Sequence, residues 1–181
     1  MLLGLQQVRE PSKSGGFTLV ELLTMMALMG VLLSLAIPAL GGMLAKWQRD
    51  SATRAVIDHL QLARAIAIKS SRRVVMCNSE DGAQCAGRSS RDWSQGWLVY
   101  RDENANKQLD GGDTLIASAG PRSGISSLQS SNGIRQFVFL PSGLMASGMS
   151  TLVVTPETGK PMRIIVNRVG RLRLSEGTDQ Q

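Results

Sequence analysis

The chain has 181 residues, with 20 lysines and arginines against 14 aspartates and glutamates and a net charge of +6. This length allows one compact domain with a membrane segment or an appendage, and it excludes large enzyme scaffolds such as an eight-stranded α/β barrel of ~250 residues. The apolar content of 43% is typical of a folded chain rather than a disordered one. The basic balance favours an acidic partner, either nucleic acid or an anionic surface.

An apolar segment covers residues 17–40 and contains Glu21 as its only charged residue. As a helix rising ~1.5 Å per residue, it would span roughly 36 Å, enough to cross a bilayer core of ~30 Å. Basic residues in the preceding leader, 1–16, predict a cytoplasmic amino terminus and an extracytoplasmic remainder. Because a carboxylate inside a membrane helix is costly, Glu21 is either an acid tolerated near the interface or a residue that pairs with a cation from a neighbouring copy.

The sequence GFTLVEL, from Gly16 to Leu22, resembles the processing site of type IV pilins and pseudopilins. In that family a prepilin peptidase cuts after the glycine and methylates the new amino terminus. The resemblance therefore implies cleavage between Gly16 and Phe17, N-methylation of Phe17, and pairing of Glu21 with the terminal ammonium of an adjacent subunit. It also implies a single-pass protein of the bacterial inner membrane with a periplasmic head, which then assembles with other pilins into a pilus at the cell surface. Pro38 is similar to the proline that kinks many pilin helices.

The remainder of the chain predicts an α+β protein. Apolar residues at helical spacing over 43–70 predict an amphipathic helix that continues the membrane helix of 17–42. Short segments separated by turn residues predict an antiparallel β-rich head over 71–174, followed by a flexible tail, 175–181. This arrangement, a long amino-terminal helix packed on a β-rich carboxyl-terminal head, is the type IV pilin fold. The predicted strands are 73–77, 96–101, 114–118, 135–140, 151–155, 163–167 and 171–174.

Two further features of the head concern loops and cysteines. The serine-rich segment 120–133 is predicted to be a mobile loop. Cys77 and Cys85 are the only cysteines, and in an extracytoplasmic head such a pair more often forms a disulfide than remains free. A metal site built on two cysteines would need further ligands, which the single histidine, His59, cannot readily supply.

An acidic segment resembles a calcium-binding EF-hand loop in the spacing of its oxygen-bearing side chains. Lys107 stands at the sixth position, where such a loop has glycine, and the twelfth position is aspartate rather than glutamate. The favoured interpretation is therefore a connection between strands in which Asx side chains cap the turn, with no metal or other cofactor. The residues of the alternative calcium site are Asp102, Asn104, Asn106, Asp110 and Asp113.

Catalysis is not predicted. One histidine excludes most acid–base and triad arrangements, and the sequence contains no HExxH, GxGxxG or Walker A motif. We therefore expect that the chain is not an enzyme.

A basic ribbon, residues 160–174, contains no acid and carries five cations: Lys160, Arg163, Arg168, Arg171 and Arg173. Because side chains alternate along a strand, Arg171 and Arg173 are predicted to share one face while Leu172 and Leu174 point to the core. Forked arginine side chains on one face can contact neighbouring phosphates without reading the base sequence. The alternative is an edge strand that its charges protect from aggregation.

The head resembles the FimT/GspH family of minor pilins and pseudopilins in segments 96–102 (GWLVYRD), 140–143 (LPSG) and 167–174 (NRVGRLRL). The FimT branch carries a carboxyl-terminal Gly-Arg-x-Arg motif implicated in DNA binding during natural transformation, and the sequence from Gly170 to Arg173 matches it. The resemblance implies a type IV minor pilin that binds double-stranded DNA through its backbone phosphates for uptake. Two alternatives need no DNA binding: a GspH-type pseudopilin of a type II secretion system, and a structural primer of pilus assembly.

Overall fold

The structure is a computed structural model that describes residues 16–87 and 90–177, except for the side chains of 37–39. Within those ranges the chain forms one α-helix and eight β-strands. The predicted leader, apart from Gly16, and the last four residues of the predicted tail lie outside the described residues.

Helix α1 spans Leu19–Ser70. Thr18 precedes it and caps it, because its hydroxyl accepts a 3.2 Å hydrogen bond from the backbone N–H of Glu21. The helical residues up to Leu40 belong to one compact unit, and the exposed large apolar side chains there have half or more of their surface open. By length and composition, α1 is the one helix among the described residues that could cross a membrane.

From Gly41 onwards, the chain forms a second compact unit that contains the rest of α1 and both β-sheets. This part of the helix buries a stripe of small and aliphatic side chains at a spacing of three or four residues. The small residues let the sheets approach the helix closely. The stripe consists of Ala52, Val56, Leu60, Ala63 and Ala67.

The strands form two antiparallel sheets of four. Their bounds are Arg73–Asn78 (β1), Trp97–Asp102 (β2), Thr114–Ala119 (β3), Ile125–Ser130 (β4), Gln136–Phe139 (β5), Ser150–Pro156 (β6), Met162–Val166 (β7) and Leu172–Glu176 (β8). The first sheet has the order β3-β2-β1-β5 and the second has the order β4-β6-β7-β8. Strand β8 is therefore an edge strand, paired with β7 on one side only.

The main core lies between the helix stripe and the inner faces of both sheets, and it includes Trp93, Trp97, Phe137 and Leu128. A second cluster on the other face of the first sheet contains Val75, Cys77, Leu98, Tyr100 and Val138. Because both of its faces are covered, β2 is buried almost throughout. The predicted α+β architecture, a long helix packed on antiparallel strands, is confirmed.

One predicted loop is wrong. Segment 120–133 contains β4, which pairs with β6 through most of its length. A register shift between Ile125 and Ser127 interrupts the alternation, so that the buried residues of β4, Ile125 and Leu128, are three positions apart rather than two. This bulge and the serines hide the strand from a search for period-two hydrophobicity.

The end of the basic ribbon also differs from the prediction. Leu174 lies opposite the buried Ile164 and so faces the same side of the sheet, but it is 54% exposed because it stands at an uncovered edge. Strand β8 continues past Leu174 to Glu176. The first two residues of the predicted flexible tail are thus part of the sheet.

Candidate functional site

The carboxyl-terminal hairpin, β7 and β8, carries most of the basic ribbon. Its turn is closed by three hydrogen bonds: Asn167 N–H to the carbonyl of Arg171 at 3.1 Å, Gly170 N–H to the carbonyl of Asn167 at 2.9 Å, and Arg171 N–H to Oδ1 of Asn167 at 2.8 Å. Gly170 has φ +73°, the left-handed conformation that ends a three-residue hairpin loop. The glycine of the Gly-Arg-x-Arg motif is thus required by the turn.

The pairing register places Arg163 and Arg173 on the outer face of the second sheet. Arg173 lies opposite Ile165, and Arg163 lies opposite Ser175. Arg163 and Arg173 are therefore diagonal neighbours across the hairpin, roughly 7–8 Å apart. Arg171 stands in the turn just before β8, two positions before Arg173 and roughly 7 Å from it along the chain.

This outer face contains no acidic side chain. Away from the core, β4, β6, β7 and β8 present serine, threonine, glutamine, valine and isoleucine, with Arg163 and Arg173 as the charged residues. The residues that define this outer face are Ser127, Gln129, Thr151, Val153, Thr155, Arg163, Ile165, Arg173 and Ser175. The electrostatic potential over this outer face is therefore positive, because Arg163 and Arg173 have no acidic partner on it.

The structure does not bring the whole predicted set together. Arg168 is exposed in the turn beside Arg171, whereas Lys160 precedes β7 at the opposite end of the hairpin, about 26 Å along the strand direction. Glu176 also lies at that end, because Glu176 pairs with Met162 in the register. The positive charge is therefore concentrated on the turn half of the hairpin.

Two arginines of α1 hold the two ends of this hairpin, and sequence reasoning missed both. Arg49 is 4% exposed, and its Nη1 donates to the carbonyl of Lys160 and to Oε1 of Glu176, each at 3.0 Å. Its Nη2 lies 2.8 Å from Asp50. Burial lowers the pKa of Arg49, but the hydrogen bonds and charges of Asp50 and Glu176 outweigh it and raise that pKa above its ordinary value.

Arg64 holds the turn end. Its Nε donates to the carbonyl of Gly143 at 3.2 Å, and its Nη1 donates to the carbonyl of Gly170 at 3.4 Å. A Cβ atom added at Gly170 would lie 2.8 Å from Cδ and 2.9 Å from Nε of Arg64, and one at Gly143 would lie 2.7 Å from Cδ1 of Ile68. Both turn glycines, in segments 140–143 and 167–174, thus allow the backbone to approach the helix.

The spacing of these two arginines is the signal that the sequence offered. They are 15 residues apart, which is about 22 Å along a helix. The six steps along the chain from Gly170 to Glu176 cover about 20 Å in strand conformation. Because the two lengths match, one helical segment can reach both ends of β8.

The predicted processing site lies just before α1. Phe17 is 75% exposed, and Glu21 occupies the first turn of the helix, where its charge suits the helix dipole. Within residues 16–87 and 90–177, no cation forms an ion pair with Glu21. Its pairing with the amino terminus of another subunit remains a prediction, as does the exact position of cleavage.

The acidic segment forms a closed network of capped turns. Asp102 accepts from the backbone N–H groups of Asn106 and Lys107, each at 3.1 Å. Asp113 accepts from the backbone N–H of Glu103 at 2.9 Å and from that of Asp110 at 3.0 Å. The N–H of Gly112, then the amides of Asn104 and Asn106, lower the pKa of Asp110. These contacts are those of the Asx-capped interpretation; in the described part of the chain no group of three or more His, Cys, Asp or Glu could hold a metal ion.

The cysteines form the expected disulfide, Cys77–Cys85, with their Cα atoms 5.6 Å apart. It fastens a surface segment to β1. Within that segment, Oδ1 of Asp81 accepts from the backbone N–H groups of Ala83 and Gln84, each at 2.9 Å. These hydrogen bonds lower the pKa of Asp81. The disulfide is structural, since Cys77 is fully buried.

Comparison with known proteins gives two family matches. The model of the type II transport protein GspH matches residues 52–170, and the model of the prokaryotic N-terminal methylation motif matches residues 11–37. Among curated proteins, the pilin-like protein PilA1 of Thermus thermophilus is 28% identical over 164 residues, covering 88% of this chain and 97% of that protein.

Two solved structures share the fold. The type IV minor pilin FimU of Pseudomonas aeruginosa aligns with a TM-score of 0.57 at 14% identity, over 72% of this chain and 90% of that one. The minor pseudopilin EpsH of the type 2 secretion system of Vibrio cholerae aligns with a TM-score of 0.50 at 17% identity, over 71% and 97%. At these identities the likeness concerns the fold, and it confirms the predicted pilin architecture.

Proposed function

The chain belongs to the GspH family, whose model covers residues 52–170, and is therefore a minor pilin or pseudopilin of a type IV pilus or a type II secretion system. We propose that it acts in a type IV pilus and binds extracellular DNA for uptake. The family consists of structural rather than catalytic proteins, so the expectation that the chain is not an enzyme is confirmed. The methylation motif at residues 11–37 implies processing by a prepilin peptidase and assembly with other pilins. The inner membrane before assembly and the pilus afterwards are its proposed locations.

One observation supports DNA as the partner. Arg171 is exposed just before the edge strand β8 and Arg173 is exposed on it, and the outer face to which Arg173 belongs carries Arg163 and no acid. Arginines at roughly 7 Å intervals can each fork onto a phosphate oxygen pair. Because no aromatic side chain belongs to this face, the contacts would be to the backbone rather than to stacked bases.

The test is a polarisation titration of the full chain, in an uncharged detergent, against labelled duplex DNA. We expect affinity that is independent of sequence, in the range of about 10⁻⁴–10⁻⁶ M at physiological salt, and that falls steeply as salt is raised. The double variant Arg171→Ala/Arg173→Ala should lose most of it. Arg72→Ala/Arg91→Ala removes the same charge at two exposed arginines outside the hairpin and serves as the control. Equal losses in the two double variants would contradict the site, and no binding by the unaltered chain would contradict the function.

The second candidate is a minor pseudopilin of a type II secretion system. The family match to a type II transport protein favours it, and the fold accommodates it equally well, since EpsH shares the architecture. In that case the arginines of the hairpin would contact a protein. Crosslinking in cells, with a photoreactive residue at exposed Arg173, would distinguish the candidates by recovering DNA or a secretion-system subunit.

A further inference from the structure

We propose that the phosphate-binding site extends beyond the strand into a cleft between α1 and β8, where Arg64 and Arg171 together receive one backbone phosphate of the DNA. This inference rests on the proposed function and adds a residue from the helix that the Gly-Arg-x-Arg motif does not contain. The cleft is a cavity of about 430 Å³, and its lining includes Gln61, Arg64, Ala65, Gly170 and Arg171. Arg64 and Arg171, which are more than 100 residues apart in the chain, therefore both line one space.

The guanidinium of Arg64 is held in place before any ligand arrives. Its Nε and Nη1 are fixed by the carbonyls of Gly143 and Gly170, and the aliphatic part of its side chain packs where a Cβ of residue 170 would otherwise lie. A fixed guanidinium loses little conformational entropy when it binds a phosphate. Among the described residues, Nη2 makes no hydrogen bond, so that end of the fork is available to a ligand.

The charge of Arg64 is also uncompensated, in contrast to that of Arg49. Arg49 is neutralised by Asp50 and Glu176. The two partners of Arg64 are neutral carbonyls, and it has no ion pair in the part of the chain that the structure describes. A guanidinium that has carbonyl partners but no carboxylate keeps its full charge, and beside Arg171 it suits an anionic ligand.

The remaining lining supports a phosphate as the ligand. Gln61 is exposed at the rim and offers an amide donor, and Ala65 leaves room beside it. No acidic side chain lines the cleft. One phosphate seated there and a second on Arg173 would be consecutive along a DNA strand, since Arg171 and Arg173 are separated by roughly 7 Å.

The loss-of-charge experiment compares Arg64→Gln with Arg91→Gln in the full chain. Arg91 is exposed beside β4, at the opposite edge of the same sheet, because its neighbour Asp92 bridges to Gln129. The measured quantity is the slope of log K against log [salt], which falls in magnitude by ~0.9 for each phosphate contact removed from duplex DNA. We expect that decrease for Arg64→Gln and an unchanged slope for Arg91→Gln. A purely structural arginine would change thermal stability without removing a counterion, so an unchanged slope in Arg64→Gln overturns the inference.

A gain-of-charge pair is informative even if Arg64→Gln fails to fold. Gln61→Lys adds a cation at the exposed rim of the cleft, and Gln129→Lys makes the same change on exposed β4. We expect severalfold tighter binding and a steeper slope for Gln61→Lys, with a smaller effect for Gln129→Lys. Equal effects in the two variants contradict the binding of a phosphate in the cleft. If the unaltered chain binds DNA and Arg171→Ala/Arg173→Ala does not, equal effects of Gln61→Lys and Gln129→Lys refute only the role of the cleft. An unaltered chain that binds no DNA refutes the proposed function itself.

Discussion

The indole Nε1–H of Trp97 donates a 2.8 Å hydrogen bond to Nδ1 of His59, the single histidine of the chain. Because an indole N–H can only donate, Nδ1 is the acceptor and the imidazole proton lies on Nε2. Trp97 is fully buried in the main core, while the guanidinium of Arg122 lies 5.4 Å from its ring centre. His59 therefore has a structural role, joining α1 to the first sheet.

This contact predicts a stability that falls in mild acid. Burial and then the charge of Arg122 lower the pKa of His59 below 6.5, although Asp58 opposes the shift. The neutral imidazole is thus favoured in the folded state. Its contribution is complete above pH 6.5 and is lost as the pH falls from there through the lower folded-state pKa, because the unfolded chain binds the proton first. We expect the melting temperature to decline across that window.

The control is His59→Asn, which keeps an acceptor near the indole but does not titrate. Its melting temperature should change less between pH 7 and pH 5 than that of the unaltered chain. Identical pH profiles in the two proteins would show that His59 is not the group responsible.

The disulfide predicts a modest, redox-dependent stabilisation. Cys77 and Cys85 are eight positions apart, and closing so short a loop contributes about 2–3 kcal/mol in the chain-entropy model. Reductant should therefore lower the melting temperature of the unaltered chain, while Cys77→Ala/Cys85→Ala should melt at one temperature with or without reductant. Alkylation of the native chain without reductant should label neither cysteine; labelling of both would contradict the pairing.

How much the sequence could predict differs from element to element. The helix and most strands follow from local periodicity, since Ala52, Val56 and Leu60 repeat at helical spacing. Strand β4 does not, because its bulge breaks the alternation between Ile125 and Leu128. The exposure of Leu174 depends on its position at a sheet edge, which no local pattern specifies.

The candidate site was predictable only in part, because some of its contacts join residues that are far apart in the sequence. The arginines near Gly170 are close together in sequence, so their clustering could be inferred from the sequence itself. Arg49 and Arg64 bind backbone carbonyls of Lys160 and Gly170, more than 100 residues away. Because every residue has a carbonyl acceptor, the spacing of Arg49 and Arg64 does not by itself identify their partners, and these contacts require the tertiary structure.

The hydrogen bonds of Arg49 to Lys160 and Glu176, at the end of the hairpin opposite the turn, are expected to stabilise the fold. Arg49→Gln would leave the carbonyl of Lys160 and the carboxylate of Glu176 without their donor. We expect a loss of about 1–3 kcal/mol in the free energy of unfolding. Arg54→Gln, at an exposed position on the same helix, should stay within about 0.5 kcal/mol of the unaltered chain. Chemical denaturation measures the free energy of unfolding of both variants. Comparable losses in the two would contradict a stabilising role for the contacts of Arg49.

The hydrogen bonds of the acidic segment predict that calcium does not change the thermal stability of the chain. Asp102 and Asp113 already accept hydrogen bonds from backbone N–H groups of their own loop, so a cation would have to replace those bonds. We expect no change in melting temperature when millimolar Ca²⁺ is added to the metal-free chain. A calcium-dependent rise that Asp102→Asn removes would support the EF-hand-like alternative.

The turn requires glycine at position 170 for two reasons, its left-handed backbone and its close contact with Arg64, and Gly170→Ala tests both. Gly170 has φ +73° and lies against Arg64, whereas Gly148 has φ +78° and open space, with no atom within 4 Å of the place that a Cβ would take. Both substitutions place alanine in the left-handed region, at a cost of roughly 1–2 kcal/mol. Only Gly170→Ala also forces Arg64 to move.

We therefore expect Gly170→Ala to destabilise the chain more than Gly148→Ala does and, in addition, to weaken DNA binding. Gly148→Ala should leave binding unchanged, because it does not touch the hairpin. Unfolding curves and polarisation titrations on the same preparations measure the two effects separately. If both variants lost stability equally and bound DNA equally well, the contact between Gly170 and Arg64 would have no part in shaping the basic turn.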